Sequence, residues 1–419
     1  MGIGRRDFLK SSIGLGGMAA LAMSSCERSE SQNAGHDPLD EVLSKPVLKK
    51  ELFHEPVRIE SIALLRHDNN FILRVRSKDG AVGYSVSNNA HMVYFFPIVI
   101  HKIIPFFEGK DARNLDQLID EIYVSSSNYK LQGLALWISL ASVEFAILDL
   151  LGRMSGKSMG ELIGDIQHTE IAVYQANNYR GKTARTTVEL IKESVAKTGA
   201  KAIKIKIGGR MSKDKDFPPG RTERLIPLVR ETFGDEMILY ADSNGSYSVD
   251  KAIEVGHLLE LNRFDFYEEP VPFDWLEETK QVADALIVPI AGGEQETSMH
   301  RFRWLIANDA LQIVQPDMFY FGGMVRSMRV ARMAEALGKP CTPHISGSGL
   351  GYVYMLHFVS TLTLAGPYHE FKGINPDIPF ECTTSPLRSE DGVVKVPRSP
   401  GLGLELDPDF IRKHKPVTA

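Results

Sequence analysis

Cysteine is scarce in this sequence: Cys26, Cys341 and Cys382 are the three among 419 residues. They cannot build a disulfide framework, and no CxxC pair or Cys/His cluster has zinc spacing, so the fold must rest on packing. A dominant charge is missing too. The 48 lysines and arginines stand against 53 acidic residues, a formal net charge of −5, too slight for an electrostatic nucleic-acid binder. No nucleic-acid partner is expected. No charge-free apolar run of about 18 residues is read after the N-terminus, which speaks against a membrane-spanning body. No GxGxxG follows the first strand of the α/β region, which speaks against an open dinucleotide-binding sheet. With 43% hydrophobic residues, the chain is ordinary for a globular protein and long enough for more than one core.

What is present begins with an address. Arg5 and Arg6 precede Asp7-Phe8-Leu9-Lys10, and SSIGLGGMAALAMSS follows over residues 11–25. Residues 1–25 resemble a twin-arginine export signal, R-R-x-F-L-K. Cys26, after Met23-Ser24-Ser25, closes the run like a lipobox with an imperfect first position; plain cleavage near Ser25 is the competing reading. The expectation is export to the periplasm, with membrane contact only through a lipid on Cys26. Residues 26–54 are polar and read as a tether that carries little fold.

From Val57 the pattern becomes strand-like, IESIALLRH and FILRVRSKDGAVGYSV, with Asp79-Gly80 as a hairpin signal. Helical periodicity follows, ending in SVEFAILDLLGRMSGKSMGELIG, so residues 57–168 read as an α+β unit. After Ile171 short apolar strands alternate with helical segments: 171–175, 202–207, 237–242, 264–268, 288–291, 311–315, 340–344 and 366–371. Eight strands in β-α order predict a closed barrel, whose chemistry gathers at the C-terminal strand ends.

Those ends are regular. Lys204 and Lys206 close the second strand, Asp242 and Asn244 the third, Glu268 the fourth, Glu294 the fifth, Asp317 the sixth, His344 the seventh and Glu370 the eighth. In AIKIKI the lysines share one face and the isoleucines the other, so both lysines are expected to point into the mouth. Any one such charge is ordinarily a solvated loop residue; one per βα unit is a pattern. Asp242, Glu268 and Glu294 make a hard-oxygen site suited to Mg²⁺, or Mn²⁺ in its place, rather than zinc or copper. A lysine buried beside a dication is pushed toward its neutral form and can act as a base, while Asp317 orients His344. A cation between two bases suits removal of a proton α to a carboxylate.

Taken together, KAIKIKIG, DSN, EEP at 268–270, GGE at 292–294, QPD at 315–317, PH at 343–344 and HEF around Glu370 resemble the enolase superfamily, mandelate racemase subgroup. Enzymes of that superfamily use a Lys or His base with Mg²⁺. The resemblance spans about residues 57–410. It implies a modified TIM barrel, (β/α)7β, over 171–374, with an N-terminal α+β capping domain over 57–168. Residues 375–419 would return to that capping domain. It further implies Asp242, Glu268 and Glu294 as Mg²⁺ ligands, Lys206 as the base on one substrate face, and His344 with Asp317 as the acid/base on the other. Lys204 would contact the substrate carboxylate, Glu370 its opposite end or the enolate oxygen, and Asn244 the substrate or the ligands from behind. Glu269 is expected to point to the other face. The loop 85–96, with Asn88, Asn89 and His91, would close over the mouth and read the substrate.

The expected reaction is dehydration of an acid sugar to a 2-keto-3-deoxy acid. The alternatives are racemisation of a 2-hydroxy acid and non-catalytic periplasmic binding of an acid sugar. The expected partner is a small carboxylate, and the resemblance implies a homo-oligomer. Cys341 and Cys382 read as small buried hydrophobes, and His257, His300 and His357 as structural or surface residues.

Overall fold

The computed structural model describes residues 38–346, 349–372 and 387–417. The export signal, Cys26, the first part of the tether and Cys382 lie outside the described residues. Strands β1 (Ile59–His67), β2 (Asn70–Ser77) and β3 (Val82–Val86) form an antiparallel meander. The Asp79-Gly80 turn joins β2 to β3, with Gly80 at φ 87°, a conformation glycine adopts without a Cβ clash. The C-terminal strand Lys415–Pro416 pairs with β1 through Leu65 and Arg66.

The helix Leu134–Ser155 covers this sheet and is buried over most of its length. β3 approaches it so closely that a Cβ on Gly83 would lie 2.3 Å from the Ala146 carbonyl oxygen. Its two acids act as bolts. Asp149 accepts the Tyr84 and Leu402 amides, each at 2.8 Å. Glu144 accepts the Met324 and Val325 amides at 2.6 and 2.9 Å, which start the helix Met324–Ala336 and are otherwise orphan donors. Burial pushes the Glu144 carboxyl up to about 8 against those two bonds.

β4 (Glu170–Ala176), β5 (Ala202–Lys206), β6 (Ile238–Asp242), β7 (Phe266–Glu268), β8 (Ile290–Gly292) and β9 (Ile313–Val314) run parallel in that order. Val314 bridges Cys341, Cys341 bridges Ala365, and β10 (His369–Lys372) pairs with β4. The ring therefore closes as an α/β barrel. Several expected strands are shorter than read, among them β7, β9 and the last two. Residues 340–344 survive as isolated bridges at Cys341 and His344, and β10 starts at His369 rather than 366. Pro340, Pro343 and Pro367 lie in these stretches and have no N–H to give a ladder.

The isoleucines of β5 face outward as expected. Ile203, Ile205 and Ile207 pack with Leu225, Ile226 and Val229 of the helix Arg221–Phe233. Inside the ring, Tyr174, Ala202, Tyr240, Phe266 and Ala291 form a closed floor. Tyr240 stacks on Phe266 at 3.8 Å and meets Tyr174 edge-on at 5.3 Å.

One expectation needs correction. Residues 38–54 are more than a tether: Pro38–Ser44 is a helix, and Leu39, Val47 and Leu48 are buried. Asp116 accepts the Val47 and Leu48 amides, both at 2.9 Å. Average polarity concealed these few apolar anchors. Asn89–Phe107 and Leu134–Ser155 are each long and apolar enough, by length and composition, to cross a bilayer, though neither is free of charge, Lys102 lying in the first and Glu144, Asp149 and Arg153 in the second. Leu134–Ser155 has its apolar surface inside the protein core, where a helix hydrophobic on all sides belongs.

Candidate active site

Period-two alternation carries the barrel interior from its floor to its mouth. On β5 the inner face runs from Ala202 to Lys204 to Lys206, on β6 from Tyr240 to Asp242, and on β7 from Phe266 to Glu268. Apolar and aromatic residues thus give way to charge at the C-terminal ends. Lys204 is fully buried directly above the floor, its Nζ 5.1 Å from the centre of the Tyr174 ring. It donates to both Glu268 oxygens at 3.0 and 2.8 Å, and Asp242 and Glu370 each lie at 3.9 Å. Gln315, a residue not singled out in the sequence, donates to Glu268 at 3.1 Å.

One carboxylate oxygen from each of Asp242, Glu268 and Glu294 lies within 4.8 Å of the others, and all three residues are buried. Three oxygens so close, without sulfur or nitrogen among them, fit a hard divalent cation. Lys206 Nζ bonds Asp242 Oδ2 and reaches Asn244 Oδ1 at 3.4 Å. Asn244 Nδ2 donates to Glu294 at 3.3 Å and to Glu269 at 3.2 Å. At the far end His344 Nε2 lies 3.2 Å from Glu294 Oε2 and 3.7 Å from Glu370, while Nδ1 lies 2.8 Å from Asp317 Oδ2. The structure thus gathers Lys204, Lys206, Asp242, Asn244, Glu268, Glu294, Asp317, His344 and Glu370 around one mouth.

The electrostatics are uneven. Burial alone would raise the Asp242 carboxyl, but Lys206, Lys204 and Arg180 outweigh it and hold it well below the usual carboxylate range. Glu268 goes the other way. Burial pushes it up to about 8, with the Asp242 and Glu294 charges adding and Lys204 opposing. Burial would raise Glu294 as well, yet His344 beside it brings it below its ordinary value.

Asp317 is pinned before it meets His344. Its Oδ1 accepts the amides of Phe319 and Tyr320 at 2.8 and 3.0 Å and the Ser346 hydroxyl at 3.0 Å. Its other oxygen accepts from Nδ1, which fixes the tautomer and leaves Nε2 facing the mouth. Asp317→Asn is therefore expected to lower kcat by about 10²-fold or more with little change in KM, because the imidazole loses its orienting acceptor. Steady-state kinetics across pH would check this; wild-type kcat in the variant would remove Asp317 from the site.

The expected loop 85–96 is corrected: Ser85 and Val86 end β3, and Asn89–Ile98 is a helix. Asn89 is bonded to β2, accepting the Phe71 amide at 2.8 Å and donating to Asn70 at 2.8 Å. Asn88 and His91 reach the mouth. Asn88 donates to Ser346 at 2.9 Å, and His91 lies edge-on to Tyr320 at 5.3 Å, the ring next to His344. Glu269 stays outside the triad but is not remote. It lines a small pocket with Val271, Phe273 and Leu311, and its φ of 43° breaks the alternation on which its outward placement was read. Cys341 and His357 are buried, as expected, and His357 bonds the Leu402 carbonyl at 2.9 Å.

Residues 186–410 match the family described as Enolase C-terminal domain-like. The chain belongs to this family. Arabinonate dehydratase from Saccharolobus solfataricus is 28% identical over 81% of this chain and 89% of its own length. L-talarate/galactarate dehydratase from Salmonella typhimurium is 26% identical over 80% of each chain. A mandelate racemase/muconate lactonizing protein from Paracoccus denitrificans, solved with magnesium, superposes with a TM-score of 0.77 at 25% identity. That match covers 86% of this chain and 99% of the other. Enolase-superfamily membership accounts for the barrel with its capping sheet, and it marks the chain as an enzyme of this family.

Proposed function

We propose that the protein removes the proton α to a carboxylate and eliminates a β-hydroxyl, converting an acid sugar to a 2-keto-3-deoxy acid. The observation that carries this reading is the placement of two proton carriers at opposite ends of one acidic triad. Lys206 lies at Asp242, and His344 lies at Glu294. Asp242, Glu268 and Glu294 would hold Mg²⁺, or Mn²⁺ in its place. When bound, the cation supplies electrophilic stabilisation of the charge that develops on the substrate carboxylate.

The chain's own residues do the rest. Lys204 sets an ammonium beside the same developing charge. Lys206 takes the α-proton, the C–H electrons form a C=C bond, and the β C–O bond breaks as His344 gives that oxygen a proton. Water leaves, and the enol left behind tautomerises to the keto acid. Glu370, held by the Ile345 amide at 3.0 Å, is placed to bond a substrate hydroxyl. The relatives compared are enzymes, and a non-catalytic binding role draws no support from them.

Incubating the protein and Mg²⁺ with a library of acid sugars in D₂O tests the proposal. The expected result is a keto acid from at least one of them, lost on chelation. Exchange of the α-hydrogen with inversion and no keto product would reassign the protein as a racemase. No exchange with any acid would overturn the reading.

A further inference from the structure

We propose that Arg180 and Arg210 form a second anion subsite on the Lys206 side of the mouth, which takes the distal carboxylate of a dicarboxylic acid sugar. The inference rests on the proposed function and narrows its substrate from acid sugars in general to aldaric acids.

Neither arginine belongs to a periodic strand. Arg180 follows β4, and its Nη2 donates to the carbonyls of Asp242 at 3.1 Å and Ile207 at 3.3 Å. Its guanidinium therefore lies over the ends of β5 and β6, across the ring from His344. Its Nε and Nη1 are buried and have no hydrogen-bond partner among the described residues. Buried unmatched donors are costly, the more so on a charged group, and they call for an acceptor that arrives with a ligand.

Arg210 comes from the loop after β5, and its Nη2 meets Asn244 Oδ1 at 3.3 Å, the same oxygen that Lys206 reaches. Neither Arg180 nor Arg210 makes an ion pair with a carboxylate among the described residues.

The loop that carries Arg210 is held in place. Arg210, Met211, Lys213 and Asp214 all have positive φ, from 49° to 65°, where non-glycine residues are strained. Bonds of 2.9 Å from the Arg210 amide to Ser246 Oγ, from Met211 to the Asn244 carbonyl and from Asp214 to the Ser246 carbonyl maintain them. Strain maintained at the rim of a site keeps the guanidinium where a ligand would find it. The opposite rim offers the neutral polar groups of Tyr320, Ser346 and Asn88 instead. One end of the mouth thus suits hydroxyls and the other a second negative charge. Arginine is also the cation whose planar donors match a carboxylate.

Calorimetric titration of the full chain with Mg²⁺, using galactarate against galactonate and glucarate against gluconate, tests the subsite. The α-hydrogen exchange assay is run on the same four acids. In at least one pair the dicarboxylate is expected to bind about tenfold tighter or more, the margin of one charge-assisted contact. Arg180→Met and Arg210→Met should each remove that margin, and Arg180→Lys should restore only part of it. Because Arg210 is exposed, its variant carries the test if Arg180→Met does not fold. Exchange without a dicarboxylate margin, or a margin that survives in Arg210→Met, overturns the subsite and leaves the proposed reaction standing. Exchange with no acid at all overturns both.

Discussion

Alanine at Lys206 is expected to lower turnover by about 10²- to 10⁴-fold, and alanine at His344 to do the same, the range for losing a positioned acid or base. The two variants should differ in what survives. With His344 absent, Lys206 still has its place beside Asp242, so α-hydrogen exchange into solvent should outlast product formation. With Lys206 absent, the proton is never taken from that face and both should fall together. If His344 is instead the base that opens the reaction, the pattern reverses. Measuring exchange by NMR alongside keto-acid release separates the two orders. A double variant with wild-type turnover would remove proton transfer from both residues. Because the pair acts in one elimination, the double variant is not expected to show the product of the single losses.

The second large effect concerns the triad. Glu268, pushed up to about 8 by burial and its acidic neighbours, is largely protonated at pH 7 in the metal-free protein, and a cation needs the carboxylate. Binding should therefore release a proton, and apparent Mg²⁺ affinity should fall about tenfold per pH unit below that value. The sign is opposite to that of a group whose acidity is increased in the fold. In the metal-free protein, the stability linked to the neutral Glu268 is present below its ordinary value of 4.5 and is lost as pH rises through about 8. Mg²⁺ at about 100 times its Kd should add about 2.7 kcal/mol of stability, and Asp242→Asn, Glu268→Gln or Glu294→Gln should each remove that gain along with turnover. Calorimetry in buffers of different ionisation enthalpy counts the released protons. A pH-independent affinity with no proton release would sink the account of Glu268.

The residues around the mouth were legible wherever their spacing had a physical period. Lys204 and Lys206 alternate with outward isoleucines, and Asp242 with Leu239 and Ala241, because strand side chains change face at each step. Arg180, Arg210 and Gln315 carried no such signal. The first two stand in loops, and Gln315 lies just beyond the two-residue β9. Asn89 was misread for the same reason: inside a presumed loop nothing indicated that a helix begins there and turns it onto β2. Glu269 and Asn244 have positive φ, a local backbone state that their identities permit but do not announce.

Order along the chain, hydrophobic period and residue chemistry by themselves determined that a barrel would form and that acids, lysines and one histidine would line its C-terminal rim. Those are local properties, set by which side of each strand a residue occupies. Tertiary structure decided the rest: which three carboxylates come within reach of one ion, which end of the triad each proton carrier meets, and which side chains from the segments between strands lean over the mouth. Such distances depend on ring closure through β10 and β4 and on the capping sheet anchored by Glu144 and Asp149. Contacts between residues far apart in sequence leave no periodic mark on it.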